Sequence, residues 1–161
     1  MSEKEKAAAS DSDQRNFSIQ RIYTCDISFE TPNSPAIFRE QWKPETSLDI
    51  NTNVKDLDEG NFEVTLTVTA TTKVGDKVAY LAEVQQSGIF SISGFSESEK
   101  GPLVGAYCPN VLFPYAREVI SDLVSKGSFP QLMLQPVNFD ALYAQHQKEL
   151  TKQGEQQPTT H

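Results

Sequence analysis

From Phe62 to Gln85 the chain alternates apolar and polar side chains about a single Gly75-Asp76 step, and this two-residue period is its strongest constraint. A period of two sends successive side chains to opposite faces of a β-strand and cannot build the apolar stripe of a helix. Phe62, Val64, Leu66 and Val68 take one face, with Glu63, Thr65, Thr67 and Thr69 on the other. Beyond the step, Val78, Tyr80, Ala82 and Val84 oppose Leu81, Glu83 and Gln85. Gly75-Asp76 is a tight hairpin turn, and Gly88 reads as a bulge or bend in the second of these strands. Upstream, FSIQRIYTCDISFE (17–30) puts Phe17, Ile19, Tyr23, Cys25, Ile27 and Phe29 on one face, with Arg21 and Ile22 out of step. Leu48, Ile50 and Val54 suggest a further strand, closed by a turn at 58–61. Four strands joined by turns predict an antiparallel meander with one wet face and one dry face.

The dry face needs a cover, and the period changes to supply it. Between Val111 and Lys126, Leu112, Tyr115, Ala116, Val119, Ile120, Leu123 and Val124 fall at helical spacing, with Gly127 placed for a left-handed C-cap. Pro109 and Pro114 imply a helix that is kinked or starts in pieces. A loop, SFPQLMLQPV, leads to a second helix with Asn138 as N-cap and Asp140 in its first turn. Phe139, Leu142, Tyr143, His146 and Leu150 share its stripe. The fold class is therefore α+β, a four-stranded antiparallel sheet with helices packed on one face. The 161 residues suffice for one domain. Residues 1–16 and 151–161 are polar and aperiodic, so they are expected to be disordered ends around a domain spanning 17–150.

Fourteen Lys and Arg against 22 Asp and Glu give a formal charge of −8, which opposes a broad hold on nucleic acid or anionic lipid. The amino terminus has no apolar core of the kind a signal peptide needs, and no apolar run approaches spanning length. These features predict a cytoplasmic protein without direct membrane insertion. Cys25 and Cys108 lie far apart with no Cys-x-x-Cys spacing, so free thiols are expected and no metal site. No glycine-rich phosphate loop, serine elbow or cysteine–histidine arrangement is present. Asp26 and Glu30, four apart on a strand, stand about 13 Å from each other, too far to share a proton. The expectation is a binding protein, with no catalytic residues and no cofactor.

Large aromatics cluster in loops and in the last helix: Phe38 and Trp42 in the crossover, Phe129 between the helices, Phe139 and Tyr143 beyond. They either fill a satellite core beneath the loops or frame an apolar groove, and residue type alone leaves both open.

Five segments in this order resemble the SecB protein-export chaperone family: IQRIYTCDISFE (19–30), PAIFREQWKPE (35–45), EVQQSGIFSISG (83–94), CPNVLFPYARE (108–118) and FPQLMLQPVNFDALY (129–143). The likeness covers roughly residues 17–150. It departs at SESEKGPLVG (96–105), where the family begins its first long helix more smoothly, and in the glutamine-rich tail. The resemblance implies a homotetramer, a dimer of dimers, acting without ATP. It would bind unfolded precursor proteins in hydrophobic grooves, keep them competent for translocation and deliver them to the SecA translocase ATPase. It implies SecA binding at Asp26, Glu30, Leu81 and Glu83. It implies a groove for unfolded chains at Phe38, Trp42, Leu132, Leu134, Phe139, Leu142 and Tyr143. Two other readings are a SecB-like chaperone of a toxin–antitoxin system and an acidic scaffold that binds one folded partner.

Overall fold

The computed structural model describes residues 14–155, and within them the change of period becomes a sheet followed by helices. The strands are β1 (Asn16–Glu30), β2 (Pro44–Asp56), β3 (Asn61–Val74) and β4 (Lys77–Ser93), all antiparallel, in the order β1-β4-β3-β2. The sheet is thus a meander only from β2 to β4. β1 lies beyond β4, because the proline-rich link between β1 and β2 cannot make a tight hairpin. Three interstrand spacings, about 14 Å, are within its reach. The link includes a short 3-10 helix, Ala36–Arg39, whose Ile37 is buried.

Three corrections concern strand detail, the first being a one-residue slip at Ala79 of β4 that pairs Val78 with Lys73 and turns it from the face of Tyr80. The β1–β4 register slips between Ile19 and Arg21 and again between Thr24 and Asp26. Each slip adds one residue to β1 and reverses the facing of the residues after it. Tyr23, opposite Ser87, and Cys25, hydrogen-bonded to Ser87, therefore belong to the outer face, and Ile22, opposite Gly88, points inward. Arg21 and Ile22, out of step with simple alternation, are the trace of the first slip. Gly88 pairs with Val64 and Ile22 without a shift. Its reason is space: a Cβ there would lie 2.8 Å from Phe90 Cε2 and 3.1 Å from Leu112 Cδ2.

The helical region starts earlier than the periodicity predicts. α1 (Glu97–Pro102), a π-helical turn (Leu103–Tyr107) and α2 (Cys108–Lys126) follow one another without a break. The π turn begins directly after Pro102, whose ring and missing N–H interrupt the α-helical ladder. Apolar spacing could not reveal α1, since none of its residues is buried. Gly127 is not the left-handed residue, having φ −78°; Ser128 is, at φ +66°. Glycine is needed at 127 because a Cβ would lie 2.7 Å from Phe29 Cζ and 2.9 Å from Phe129 Cδ2.

α2 lies on β3 and β4, packing Leu112, Phe113, Ala116, Ile120 and Val124 against Val64, Leu66, Val68, Ala82, Val84 and Phe90. Each such fully buried side chain contributes roughly 1.5–3 kcal/mol. The cover stops short of both sheet edges. On β1, Ile19 is 46% and Ile27 49% exposed, and Tyr107 and Tyr115 are exposed among the helices. α3 (Phe139–Glu155) is capped as expected, Asn138 Oδ1 accepting from the N–H of Ala141 at 3.0 Å. It runs five residues beyond the boundary expected at 150, and residues 156–161 lie outside the described chain, as do residues 1–13. Its stripe packs only at the start: Phe139 is buried and Tyr143 half-buried, while Leu142, His146 and Leu150 are exposed. Among the described residues no helix is long and apolar enough to cross a membrane.

Candidate binding surfaces

The outer face of the sheet is organised by register. Reading across β1, β4, β3 and β2, one row is Glu30, Leu81, Thr71 and Ser47. The next is Ser28, Glu83, Thr69 and Asp49, and a third is Asp26, Gln85, Thr67 and Asn51. Asp26, Glu30, Leu81 and Glu83 therefore share this face. Leu81 lies directly opposite Glu30, and Glu83 is diagonal to both Glu30 and Asp26. The Thr69 hydroxyl donates to Glu83 Oε2 at 2.7 Å, which fixes that carboxylate. Threonines on the central strand carry no charge of their own, so the carboxylates set the sign of the field here.

Further along the same face, the Tyr23 hydroxyl donates to Glu63 and Cys25 shares a 2.8 Å hydrogen bond with Ser87, which in turn bonds Thr65 at 2.7 Å. Burial, then the hydrogen bond to Glu63 and its charge, push the Tyr23 phenol up to about 12. This network is not legible in the sequence, because it exists only once the slips in β1 turn Tyr23 and Cys25 outward. Among the described residues no group of three His, Cys, Asp or Glu is placed to hold a metal ion.

On the opposite face the candidate groove residues fall into two places. At the end of the sheet where β3 turns into β4, Phe129 is buried against the rings of Tyr80, Phe38 and Trp42, with centroids at 4.9, 5.2 and 5.8 Å. Phe29 extends the cluster, 6.2 Å from Tyr80. Tyr80 is nearly inaccessible; burial raises its phenol pKa, and hydrogen bonds with Thr72 and Thr46 pull the other way. Phe38 is 48% exposed and Trp42 half-buried, so the cluster is a core with an open rim. The rings thus fill a satellite core beneath the loops, with Phe38 at its exposed edge. Tyr80 and Phe29 are legible in the sequence as inward-facing, but nothing in their spacing joins them to Phe129.

The second place is a cleft of about 560 Å³ between β2 and α3, lined by the apolar Ile50, Val54, Val104, Phe139, Leu142 and Tyr143 and by the polar Asn51, Thr52, Gln145, His146, Gln147 and Glu149. β2 is an edge strand of the sheet. Phe139 also meets Phe113, centroids 5.7 Å apart. Leu134 is buried in the core and Leu132 half-buried in the inter-helix loop. Trp42 and Ile50 are separated by eight residues, about 26 Å of extended chain, so the aromatic cluster and the cleft are distinct stations along one side of the molecule.

The family model for the preprotein translocase subunit SecB matches residues 10–150. The protein-export protein SecB of Methylococcus capsulatus is 55% identical over 148 residues, covering 92% of this chain and 95% of its own. That of Marinobacter nauticus is 55% identical over 146 residues, covering 90% and 88%. Among solved structures, a SecB-like chaperone of Mycobacterium tuberculosis, in complex with a peptide from an antitoxin, superposes with a TM-score of 0.64 at 16% identity. That match covers 82% of this chain and 96% of the other.

Proposed function

The chain belongs to the SecB family of preprotein translocase subunits, and on that premise we propose that it is an ATP-independent holdase of protein export. It binds unfolded precursor proteins in the cytosol and passes them to the SecA translocase ATPase. The observation that carries this reading is the separation of two unlike surfaces on one sheet. One face bears carboxylates around Leu81, and the other bears the aromatic rim and the cleft between β2 and α3. Unfolded chains meet Phe38, Trp42, Leu132, Leu134, Phe139, Leu142 and Tyr143, some by direct contact at the rim and cleft, others, such as Leu134, by supporting their walls. SecA meets Asp26, Glu30, Leu81 and Glu83. Simultaneous engagement then needs no competition for the same atoms. Holding a chain neither makes nor breaks a covalent bond, and no cofactor is called for.

The half-exposed inner face of β1, its open edge, and exposed Tyr107 and Tyr115 support self-association. Burying them against further copies, as a tetramer built from two dimers, would remove apolar surface that a monomer leaves in water.

The test is suppression of aggregation of several unrelated unfolded proteins, with the fluorescence of Trp42, the sole tryptophan, followed in parallel. A holdase suppresses all of them, and the Trp42 signal changes with unfolded but not folded protein. Protection of one folded partner only would overturn the reading. Light scattering that returns the 17.9 kDa monomer at micromolar concentration would remove the tetramer.

A further inference from the structure

Residues 101–105, Gly-Pro-Leu-Val-Gly, make a poor helical sequence, yet Gly101 and Pro102 close α1 and Gly105 lies in the π turn. Glycine loses the most backbone freedom in a helix, so two of them about one turn apart call for a compensating contact. Tyr143 supplies it. A Cβ on Gly101 would stand 2.5 Å from the Tyr143 hydroxyl, with the ring carbon Cζ at 3.6 Å. A Cβ on Gly105 would stand 2.5 Å from ring carbon Cε2, with Cδ2 also closer than any real Cβ comes. The two glycines thus form a seat, the ring over Gly105 and the hydroxyl over Gly101. α3 has little else to hold it, since every residue from Ala144 to Gly154 is exposed and only Phe139 is buried. Gly101, Gly105 and Tyr143 all line the cleft opposite Ile50 and Val54 of β2.

We propose that Gly101 and Gly105 are positioning residues for the cleft: they seat Tyr143 and so hold α3 as the wall facing β2. This rests on the reading of the cleft as a surface for unfolded chains. The glycines act through Tyr143, and a methyl group at either position lifts the ring and frees the wall.

The two contacts differ in kind, which makes the test sharp. At Gly101 the close contact is the hydroxyl, so Tyr143→Phe should relieve Gly101→Ala. At Gly105 it is the ring, so the same change should not relieve Gly105→Ala. With the full chain, binding of a reduced, carboxymethylated protein that cannot fold is measured beside hydrogen exchange in residues 139–155. If a variant seats α3 a tenth of the time, its apparent affinity falls about tenfold, and exchange in α3 quickens. Gly101→Ala with Tyr143→Phe should return to the level of Tyr143→Phe alone. A purely local helical role predicts no quickening in residues 139–155, because alanine favours helix over glycine and would act only on α1 and the π turn. The inference is overturned if both glycine variants match the wild type, or if Tyr143→Phe treats them alike. Should Gly105→Ala not fold, the Gly101→Ala pair still decides. A wild type that ignores the unfolded protein would sink the cleft reading instead, while exchange in α3 would still judge the seat.

Discussion

Replacing Glu83 by lysine should leave the fold nearly as stable as before and cost the chain its grip on SecA. On the proposed docking face Glu83 is diagonal to Asp26 and Glu30, which for antiparallel neighbours means separations of about 7–8 Å. Two like charges at 8 Å in water repel by about 0.5 kcal/mol, and physiological salt screens this to about 0.2. Reversing one charge changes each of the two terms by twice that, a gain of about 0.8 kcal/mol. The lost hydrogen bond from Thr69 removes about 1 kcal/mol, so the two effects nearly cancel. A basic group of the partner that comes within about 4 Å of residue 83 sees another balance: about 1 kcal/mol of attraction becomes as much repulsion. The swing of about 2 kcal/mol corresponds to roughly 30-fold weaker binding. Calorimetric titration with SecA at low and high salt measures it, alongside thermal melting and aggregation suppression. We expect the loss to shrink at high salt, the melting midpoint to move by no more than about 4 °C, and client holding to persist. Unchanged SecA affinity at low salt would refute the docking face. Equal loss of client holding would refute the separation of surfaces.

The packing carries further consequences. Gly127→Ala should destabilise the fold by about 1–3 kcal/mol in urea titration, because its methyl would push Phe29 and Phe129 out of a filled core. Since Phe129 stacks near Trp42, the native fluorescence should shift as well. The buried Cys108 thiol, pushed up to about 12 by burial, should resist thiol reagents at pH 8 and label only in denaturant. Tyr23 is raised to about 12 from an ordinary 10, so the folded state holds this proton longer than the unfolded one. Its contribution is complete below pH 10 and is lost as pH rises from 10 to 12. Tyr23→Phe should flatten the stability profile in that window, and an unaltered slope would contradict the placement of Tyr23 beside Glu63.

Much of the architecture is legible in the chain because alternation and helical spacing are local consequences of burial. Val64, Leu66, Val68, Val84, Leu112, Ile120 and Val124 each announce a facing that the core then uses. The same logic puts Asp26, Glu30, Leu81 and Glu83 on polar strand faces without any knowledge of pairing. Local pattern cannot carry anything decided by a partner element. The slips in β1 depend on its match to β4, and they alone turn Tyr23 and Cys25 outward. Gly88, Gly101, Gly105 and Gly127 resemble turn or cap residues in sequence, yet three-dimensional proximity to Phe90, Tyr143, Phe29 and Phe129 explains them. α1 has no apolar stripe to betray it. Strands, main helices, charge and the family likeness are written in the chain itself, because they arise from composition and short-range period. The order of β1 and β4, the split of the aromatics into a cluster and a cleft, and the seat of Tyr143 are settled in three dimensions, because each depends on which distant surfaces come into contact.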